Sequence, residues 1–232
     1  MLLKNQAALQ IQRFFASYRF RKQIISMEAI DESPYAQLLK AFDLRFQCMR
    51  AVAAAKFPIN KPLEDKAQIA RVIDNVTELA KEKGIANLEA IAQLFQHNIT
   101  LSTAIQAPYY DLIWRKSHYS ERNTQRLVNN AYDQLQEIVL LYNLPIELLE
   151  EKANYTSTDV LTLARDIIQY ASKTIIELLA EPGKPLLDEI ARQEFSEAIE
   201  KILAHYMTLS VLNQNKENVT LLIESMSKCI IC

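Results

Sequence analysis

Hydrophobic residues recur every three or four positions along most of this chain, which is the spacing of one face of an α-helix. Residues 161–179 are a clear case, because apolar side chains alternate there with short polar stretches at helical intervals. The same pattern predicts helices, in chain order, at about 6–27, 35–56, 64–83, from about 87 to an end or kink at Pro108, and at about 121–142, 157–180, 186–213 and 216–228.

Residues that favour turns are scarce. The 232 residues include two glycines, Gly84 and Gly183. Sheet proteins need many tight turns, and those turns favour residues that tolerate positive φ. The fold class is therefore predicted to be all-α, with Gly84 ending the helix before it as a C′ residue. Hydrophobic residues make up 50% of the chain and charged residues 23%, a balance that excludes general disorder.

Charge is unevenly distributed. Residues 1–27 contain five basic residues and no acidic one, whereas the rest of the chain carries an excess of acid. A basic arm on an acidic body indicates that the arm has a partner of its own. No nucleic-acid partner is expected.

Metal and cofactor chemistry has little support. The sequence has three cysteines, and its three histidines are scattered at His97, His118 and His205, so no metal-ligand set and no cofactor is predicted. No window approaches eighteen apolar residues, and polar residues interrupt the apolar runs at the start of the chain. Neither a membrane span nor a signal peptide is predicted, and a cytoplasmic, reducing compartment is expected.

Two cations stand out on an apolar background. Arg45 and Lys56 lie eleven residues apart in a stretch without Gly or Pro, which places both on one stripe of a helix. The residues between them on that stripe are mostly small or apolar. This pattern favours a pocket for a small anion, although solvated side chains whose stems cover apolar surface are the alternative.

Three motifs resemble the all-helical AroQ-type chorismate mutases, most closely the secreted subclass with a single-chain pocket. The first is Arg45 followed by the Val-Ala-Ala-Ala-Lys-Phe segment at 52–57. The second is the Pro-Leu-Glu-Asp helix start at 62–65. The third consists of Phe95, Ile99, Ser102, Ile105 and Gln106. The resemblance implies a mutase-like domain over residues 30–130.

The resemblance also implies roles for individual residues. Arg45 would pair with a carboxylate of chorismate, and Ser102 would help to hold a carboxylate. Lys56 would contact the ether oxygen and a carboxylate, and Gln106 would donate to the ether oxygen, on which negative charge develops during rearrangement to prephenate. The reaction is pericyclic, so it needs positioning and electrostatic stabilisation rather than a nucleophile or a metal.

Other positions carry the resemblance less closely. Asp65 and Gln68 occupy substrate-side positions at the start of the next helix, and Arg122 stands where the secreted subclass has a further arginine. The family usually has Arg-Glu where this sequence has Gln68 and Ile69. The loss of a pocket cation leaves open an alternative, a mutase-derived fold with lost or altered activity. Arg71, close by on the same helix, is the candidate substitute for that cation.

The N-terminal segment, residues 1–28, resembles an IQ motif, the calmodulin-binding helix of eukaryotic proteins. The segment departs from that motif at Ala16-Ser17, where Arg-Gly is usual. A helix packed on the body, or on a membrane surface, is the alternative. The residues predicted to bind calmodulin are Ile11, Gln12, Phe15, Tyr18, Arg21 and Lys22.

The C-terminal tetrapeptide, residues 229–232, fits a C-a-a-X prenylation signal with Cys229 as the acceptor. A prenyl group would tether the protein to a membrane, whereas an apolar helix end with reactive thiols is the alternative. Both chain ends would use eukaryotic machinery, which suggests a eukaryotic protein or a bacterial effector working inside a host cell. Residues 131–228 are predicted to form a helical extension, and a homodimer is left open.

Overall fold

The computed structural model describes residues 34–116, 121–145, 149, 154–181 and 189–230. These residues form helices and no strand, which confirms the all-α prediction. The IQ-like segment lies outside the described residues. The described helices are α1 (Pro34–Gln47), α2 (Met49–Lys56), α3 (Lys66–Glu82), α4 (Leu88–Lys116), α5 (Glu121–Leu141), α6 (Ser157–Ala180), α7 (Glu189–Tyr206), α8 (Leu209–Gln214) and α9 (Lys216–Ile230).

Helix α4 is central to the packing. It contacts α2, α3 and α9, while α6 packs against α1, α2, α3 and α5. The buried hydrophobic residues form one continuous core that runs from Leu38 in α1 to Cys229 in α9. The helical extension after residue 130 therefore shares its core with the segment that contains the candidate site.

The predicted helix at 35–56 is two helices rather than one. The break is at Cys48, which keeps helical angles of φ −68° and ψ −19°. The amide of Val52 still donates to the carbonyl of Cys48 at 3.0 Å, so the helical direction continues through the break. The stripe that links Arg45 to Lys56 is preserved because the interruption inserts no loop.

Helix α3 has a defined cap at each end. The carboxylate of Asp65 accepts a hydrogen bond from the amide of Gln68 at 3.0 Å, which satisfies a free N–H of the first turn. At the other end Gly84 has φ +80°, with hydrogen bonds from its amide to the carbonyl of Lys81 and from Ile85 to Ala80. This is a Schellman motif, and it confirms Gly84 as the C′ residue.

The structure resolves one open prediction and corrects another. Helix α4 continues through Pro108 to Lys116, so of the two alternatives, an end or a kink, the end is excluded. A proline removes one hydrogen bond, but buried neighbours such as Ile105 and Ile113 hold the helix on both sides. The predicted helix at 186–213 is divided, because Thr208 caps a new helix by accepting a hydrogen bond from Val211.

A buried carboxylate joins the extension to the first helix. Asp43 is 2% exposed and accepts hydrogen bonds from Gln47 at 2.7 Å and from the hydroxyls of Tyr142 and Tyr206 at 2.6 Å each. Buried charges need such partners, because an unpaired carboxylate loses its hydration without compensation. The interaction fixes α1 against the ends of α5 and α7.

Within the described ranges, no helix is long and apolar enough to cross a membrane. No group of His, Cys, Asp and Glu side chains in those ranges is placed to hold a metal ion.

Candidate active site

Lys56 is the last residue of α2, and its side chain is half-buried. The ammonium Nζ donates to the carbonyl oxygen of Leu63 at 2.7 Å and to Oε1 of Gln106 at 3.3 Å. Burial lowers the pKa of Lys56, and the nearby carboxylate of Asp65 partly opposes that shift. An ammonium has three N–H donors, so one remains for a ligand.

Gln106 projects from α4 towards the same point. The residue is 5% exposed, and its Nε2 lies 3.3 Å from both Sδ of Met49 and the carbonyl of Ser102. Because an ammonium can only donate, the amide oxygen faces Lys56 and the NH₂ group faces away from it. The structure thus brings together the two residues for which the resemblance implies contact with the ether oxygen.

Arg45 lies deeper, with 3% of the residue exposed. Its Nε donates to Oδ1 of Asn98 at 2.7 Å, and its Nη1 donates to the hydroxyl of Ser172 and to the carbonyl of Ile168, the latter at 3.5 Å. The guanidinium carbon lies 5.2 Å from the centre of the Phe95 ring. Burial lowers the pKa of Arg45 to about 10, which leaves it charged at neutral pH.

The described partners of Arg45 are neutral. No carboxylate in the described part of the chain pairs with its guanidinium. Taking a cation out of water is costly, and hydrogen bonds to neutral groups compensate only in part. An anionic ligand would supply the missing charge.

One face of α4 connects the Arg45 and Lys56 ends of the site. Asn98, Ser102 and Gln106 follow one another at intervals of four residues, so their side chains share that face. Nδ2 of Asn98 and Oγ of Ser102 are both buried without a hydrogen-bond partner in the described residues. Sequence analysis missed Asn98, although its position four residues before Ser102 could have identified it.

The unpaired hydroxyl of Ser102 gives a prediction about stability. We expect Ser102→Ala to leave the free energy of unfolding unchanged or raise it, because it removes a buried group that has no partner. The matched control is Ser227→Ala. Both serines are 6% exposed, but Oγ of Ser227 donates to the carbonyl of Ile223 at 2.9 Å. The free energy of unfolding of the control, measured with urea, should fall by about 1 kcal/mol. An equal fall in both variants would contradict the prediction.

Asp65 and Gln68 are tied to the start of α3. The carboxylate of Asp65 caps that helix on the amide of Gln68, and the Gln68 side chain is half-buried. Arg71, one turn further along, is exposed and donates from Nε to the carbonyl of Ala67 at 3.3 Å. Arg71 therefore does not supply the cation that Gln68 lacks. Substrate contacts by Asp65 and Gln68 stay predictions.

Arg122 lies in the first turn of α5, and its side chain lies outside the described residues. An open polar groove of about 780 Å³ runs along the same helix and contains neither Lys56 nor Arg45. The lining contains both a cation, Arg126, and an anion, Asp133, so the groove is not suited to a dicarboxylate. The groove is lined by Asn123, Gln125, Arg126, Asn129, Asn130 and Asp133.

Cys229 lies near the end of α9 rather than on a free tail. The residue is 5% exposed, and its Sγ is 3.2 Å from the carbonyl of Ser225. A prenyl acceptor must be accessible, so modification would require the last turn of α9 to open. Prenylation of Cys229 stays a prediction, as does calmodulin binding by the IQ-like segment.

Comparison with known proteins identifies one family. Residues 27–107 match the family model described as chorismate mutase type II. This segment is therefore similar to chorismate mutase type II domains, and the likeness supports chorismate mutase activity. Arg45, Lys56, Ser102 and Gln106 all fall inside the matched segment. No curated protein and no solved structure matches the chain.

Proposed function

We propose that this protein is an isomerase that converts chorismate to prephenate in a pocket between α1, α2 and α4. The observation that carries the proposal is the contact between Nζ of Lys56 and Oε1 of Gln106 at 3.3 Å. The type II chorismate mutase domain at residues 27–107 supplies the substrate class. The buried guanidinium of Arg45, which has neutral partners among the described residues, supports an anionic substrate.

The chemistry needs few groups. In the rearrangement one C–O bond of the ether breaks while one C–C bond forms, and no proton is transferred. Arg45 and Ser102 would hold a carboxylate and so favour the reactive conformer. The free donor of Lys56 and the NH₂ group of Gln106 would stabilise the charge that develops on the ether oxygen. Gln106 would exchange its contact with Met49 Sδ, a weak acceptor, for this stronger one.

The direct test is conversion of chorismate by the full-length protein, followed by chromatography of chorismate and prephenate. We expect prephenate to form faster than in buffer alone and in proportion to enzyme concentration. No conversion at high enzyme concentration would contradict the proposal.

The lowered pKa of Lys56 predicts how the activity depends on pH. The value in the folded protein lies below the ordinary 10.5 because of burial. We expect kcat/KM to fall as pH rises through this lowered pKa, because the neutral amine no longer stabilises an anion. An activity that stays constant up to pH 10.5 would contradict this assignment.

The lowered pKa of Lys56 also affects stability, which should rise with pH where the activity falls. Between the lowered pKa and 10.5 the unfolded state binds more protons at this residue than the folded state does. The contribution of Lys56 to the free energy of unfolding therefore rises with pH across that window. Urea unfolding of the wild type and of Lys56→Gln over this range isolates the contribution, because the glutamine does not titrate.

We also propose that the pocket is complete within one chain, as in the secreted subclass. The support is that α4 and α6, which are far apart in the sequence, both supply partners to Arg45, so the helical extension helps to enclose the guanidinium. Activity that does not depend on protein concentration across a monomer–dimer range would agree with this. A homodimer that completes the pocket predicts activity lost on dilution.

A second candidate function is an interaction protein on a mutase-derived fold without activity. The observation that favours it is that Arg71 is exposed and donates to the carbonyl of Ala67. Arg71 therefore does not replace the cation that the family has at the position of Gln68. This candidate predicts no turnover of chorismate. It also predicts that the chain ends carry the function, as in a host-targeted bacterial effector.

For the chain ends we propose calmodulin binding by residues 1–28 and prenylation at Cys229. The prenyl group would hold this cytoplasmic protein at a membrane. The first is supported by the basic charge and aromatic spacing of the segment, and the second by the tetrapeptide at 229–232. Titration of full-length protein with calmodulin, with and without Ca²⁺, tests the first; absence of a complex contradicts it. The mass of the C-terminal peptide after expression in eukaryotic cells tests the second, and an unmodified Cys229 contradicts it.

A further inference from the structure

Two neighbouring polar atoms on α4 are buried and unpaired. Nδ2 of Asn98 and Oγ of Ser102 have no hydrogen-bond partner among the described residues, although Asn98 is fully buried and Ser102 is 6% exposed. Folded proteins rarely leave buried polar groups unsatisfied, so each such atom requires an explanation. Because the two residues are four positions apart, both atoms lie on the same face of the helix.

The contact with Arg45 fixes the orientation of the Asn98 amide. Nε of Arg45 donates to this side chain at 2.7 Å, and a guanidinium has no acceptor. The amide oxygen therefore faces Arg45, and the NH₂ group is turned away from Nε. Nη2 of Arg45 makes no hydrogen bond to a described residue. The cluster thus combines unused N–H donors, a hydroxyl and a positive charge.

A carboxylate fits this set of groups better than any neutral ligand does. It carries two acceptor oxygens and the charge that the Arg45 guanidinium lacks among its described neighbours. An amide donor adds a hydrogen bond without adding a second buried cation, whose loss of hydration would be costly.

We propose that Asn98 is a further substrate-binding residue, whose Nδ2 donates to the substrate carboxylate that Arg45 binds. Oδ1 of Asn98 and the hydroxyl of Ser172 act as positioning groups for the guanidinium. The inference rests on the proposed conversion of chorismate. Ser172 belongs to α6 and lies outside the matched residues 27–107, so the helical extension takes part in building the site.

Asn98→Asp in the full-length protein is the discriminating variant. The new carboxylate would pair with Arg45, so the urea midpoint should rise above that of the wild type. It would also repel the substrate and remove the Nδ2 donor, so KM for chorismate should increase about 100-fold or more, with a smaller change in kcat. A purely structural role for Asn98 predicts the rise in midpoint with an unchanged KM, and that result would overturn the inference.

Two further variants keep the test valid if Asn98→Asp does not fold. Asn98→Ala should raise KM about 10- to 100-fold, because it removes a hydrogen bond to a charged group. Ser172→Ala should raise KM by less, about tenfold or below, since the Ser172 hydroxyl acts through the guanidinium, from which it accepts while it donates to the carbonyl of Ile168 at 2.6 Å. Asn218→Asp is the matched control: this half-buried residue of α9 contacts His97 rather than Arg45 and should keep the wild-type KM.

The outcomes separate this inference from the proposed function. Turnover by the wild type with an unchanged KM in Asn98→Asp and Asn98→Ala overturns the inference and leaves the function standing. Absence of turnover by the wild type overturns the function. In that case, a shift of the thermal midpoint by chorismate in the wild type but not in Asn98→Asp supports the binding role, and no shift in either overturns it.

Discussion

Lys56→Ala is expected to lower kcat/KM for chorismate by roughly 10²- to 10³-fold, the usual cost of removing one preorganised donor to a developing negative charge. Gln106 shares this position, since its Oε1 lies 3.3 Å from the lysine ammonium, but an amide cannot replace the charge. Initial rates of chorismate loss at several substrate concentrations measure the effect. The loss should be mainly in kcat, because the charge develops in the transition state.

Lys61→Ala is the matched control for this prediction. Lys61 is exposed in the loop after α2, and its charge contributes to lowering the pKa of Lys56. Its removal should leave kcat/KM within about threefold and move the alkaline fall in activity to slightly higher pH. Equal losses in the two variants would mean that the local positive field, rather than a specific contact by Lys56, supports the reaction.

The second large effect is expected at Arg45, where activity and stability should change independently. Arg45→Met removes the positive charge of the guanidinium group at a residue that is 3% exposed. Chorismate turnover should fall by at least about 10²-fold, because a carboxylate loses its charged partner. Stability should not fall in parallel, since a buried cation without a carboxylate among the described residues carries an uncompensated loss of hydration.

The partners of Arg45 complicate the single variant. Arg45→Met also leaves Oδ1 of Asn98 without its donor, which costs about 1–3 kcal/mol. The double variant Arg45→Met/Asn98→Leu removes both groups, and we expect its urea midpoint to reach or exceed that of the wild type. Arg50→Met, at an exposed arginine of α2 that donates to the carbonyl of His205 at 3.2 Å, should lower stability by about 1 kcal/mol or less and keep the activity. A double variant destabilised by more than about 2 kcal/mol would assign Arg45 a structural role.

Local physics explains why much of the fold could be predicted. Helical periodicity and the scarcity of glycine depend on neighbouring residues alone, so the all-α class and most helix positions followed from the sequence. Gly84 adopts the predicted positive φ because a helix ending in a Schellman motif needs that conformation. At Pro108 the sequence left an end or a kink open, and the structure excludes the end because buried contacts on both sides keep α4 helical through it.

The candidate site, like the fold, could be predicted only in part from the sequence. By itself, the sequence determined the shared helix stripe of Arg45 and Lys56 and the shared face of Ser102 and Gln106, because spacing along one helix fixes direction. Only the tertiary structure decided that Lys56 contacts Gln106, fifty residues later, and that Arg45 contacts Asn98 and Ser172, fifty-three and 127 residues later. Such contacts depend on how separate helices pack, and no local periodicity encodes which neutral groups will surround a buried charge.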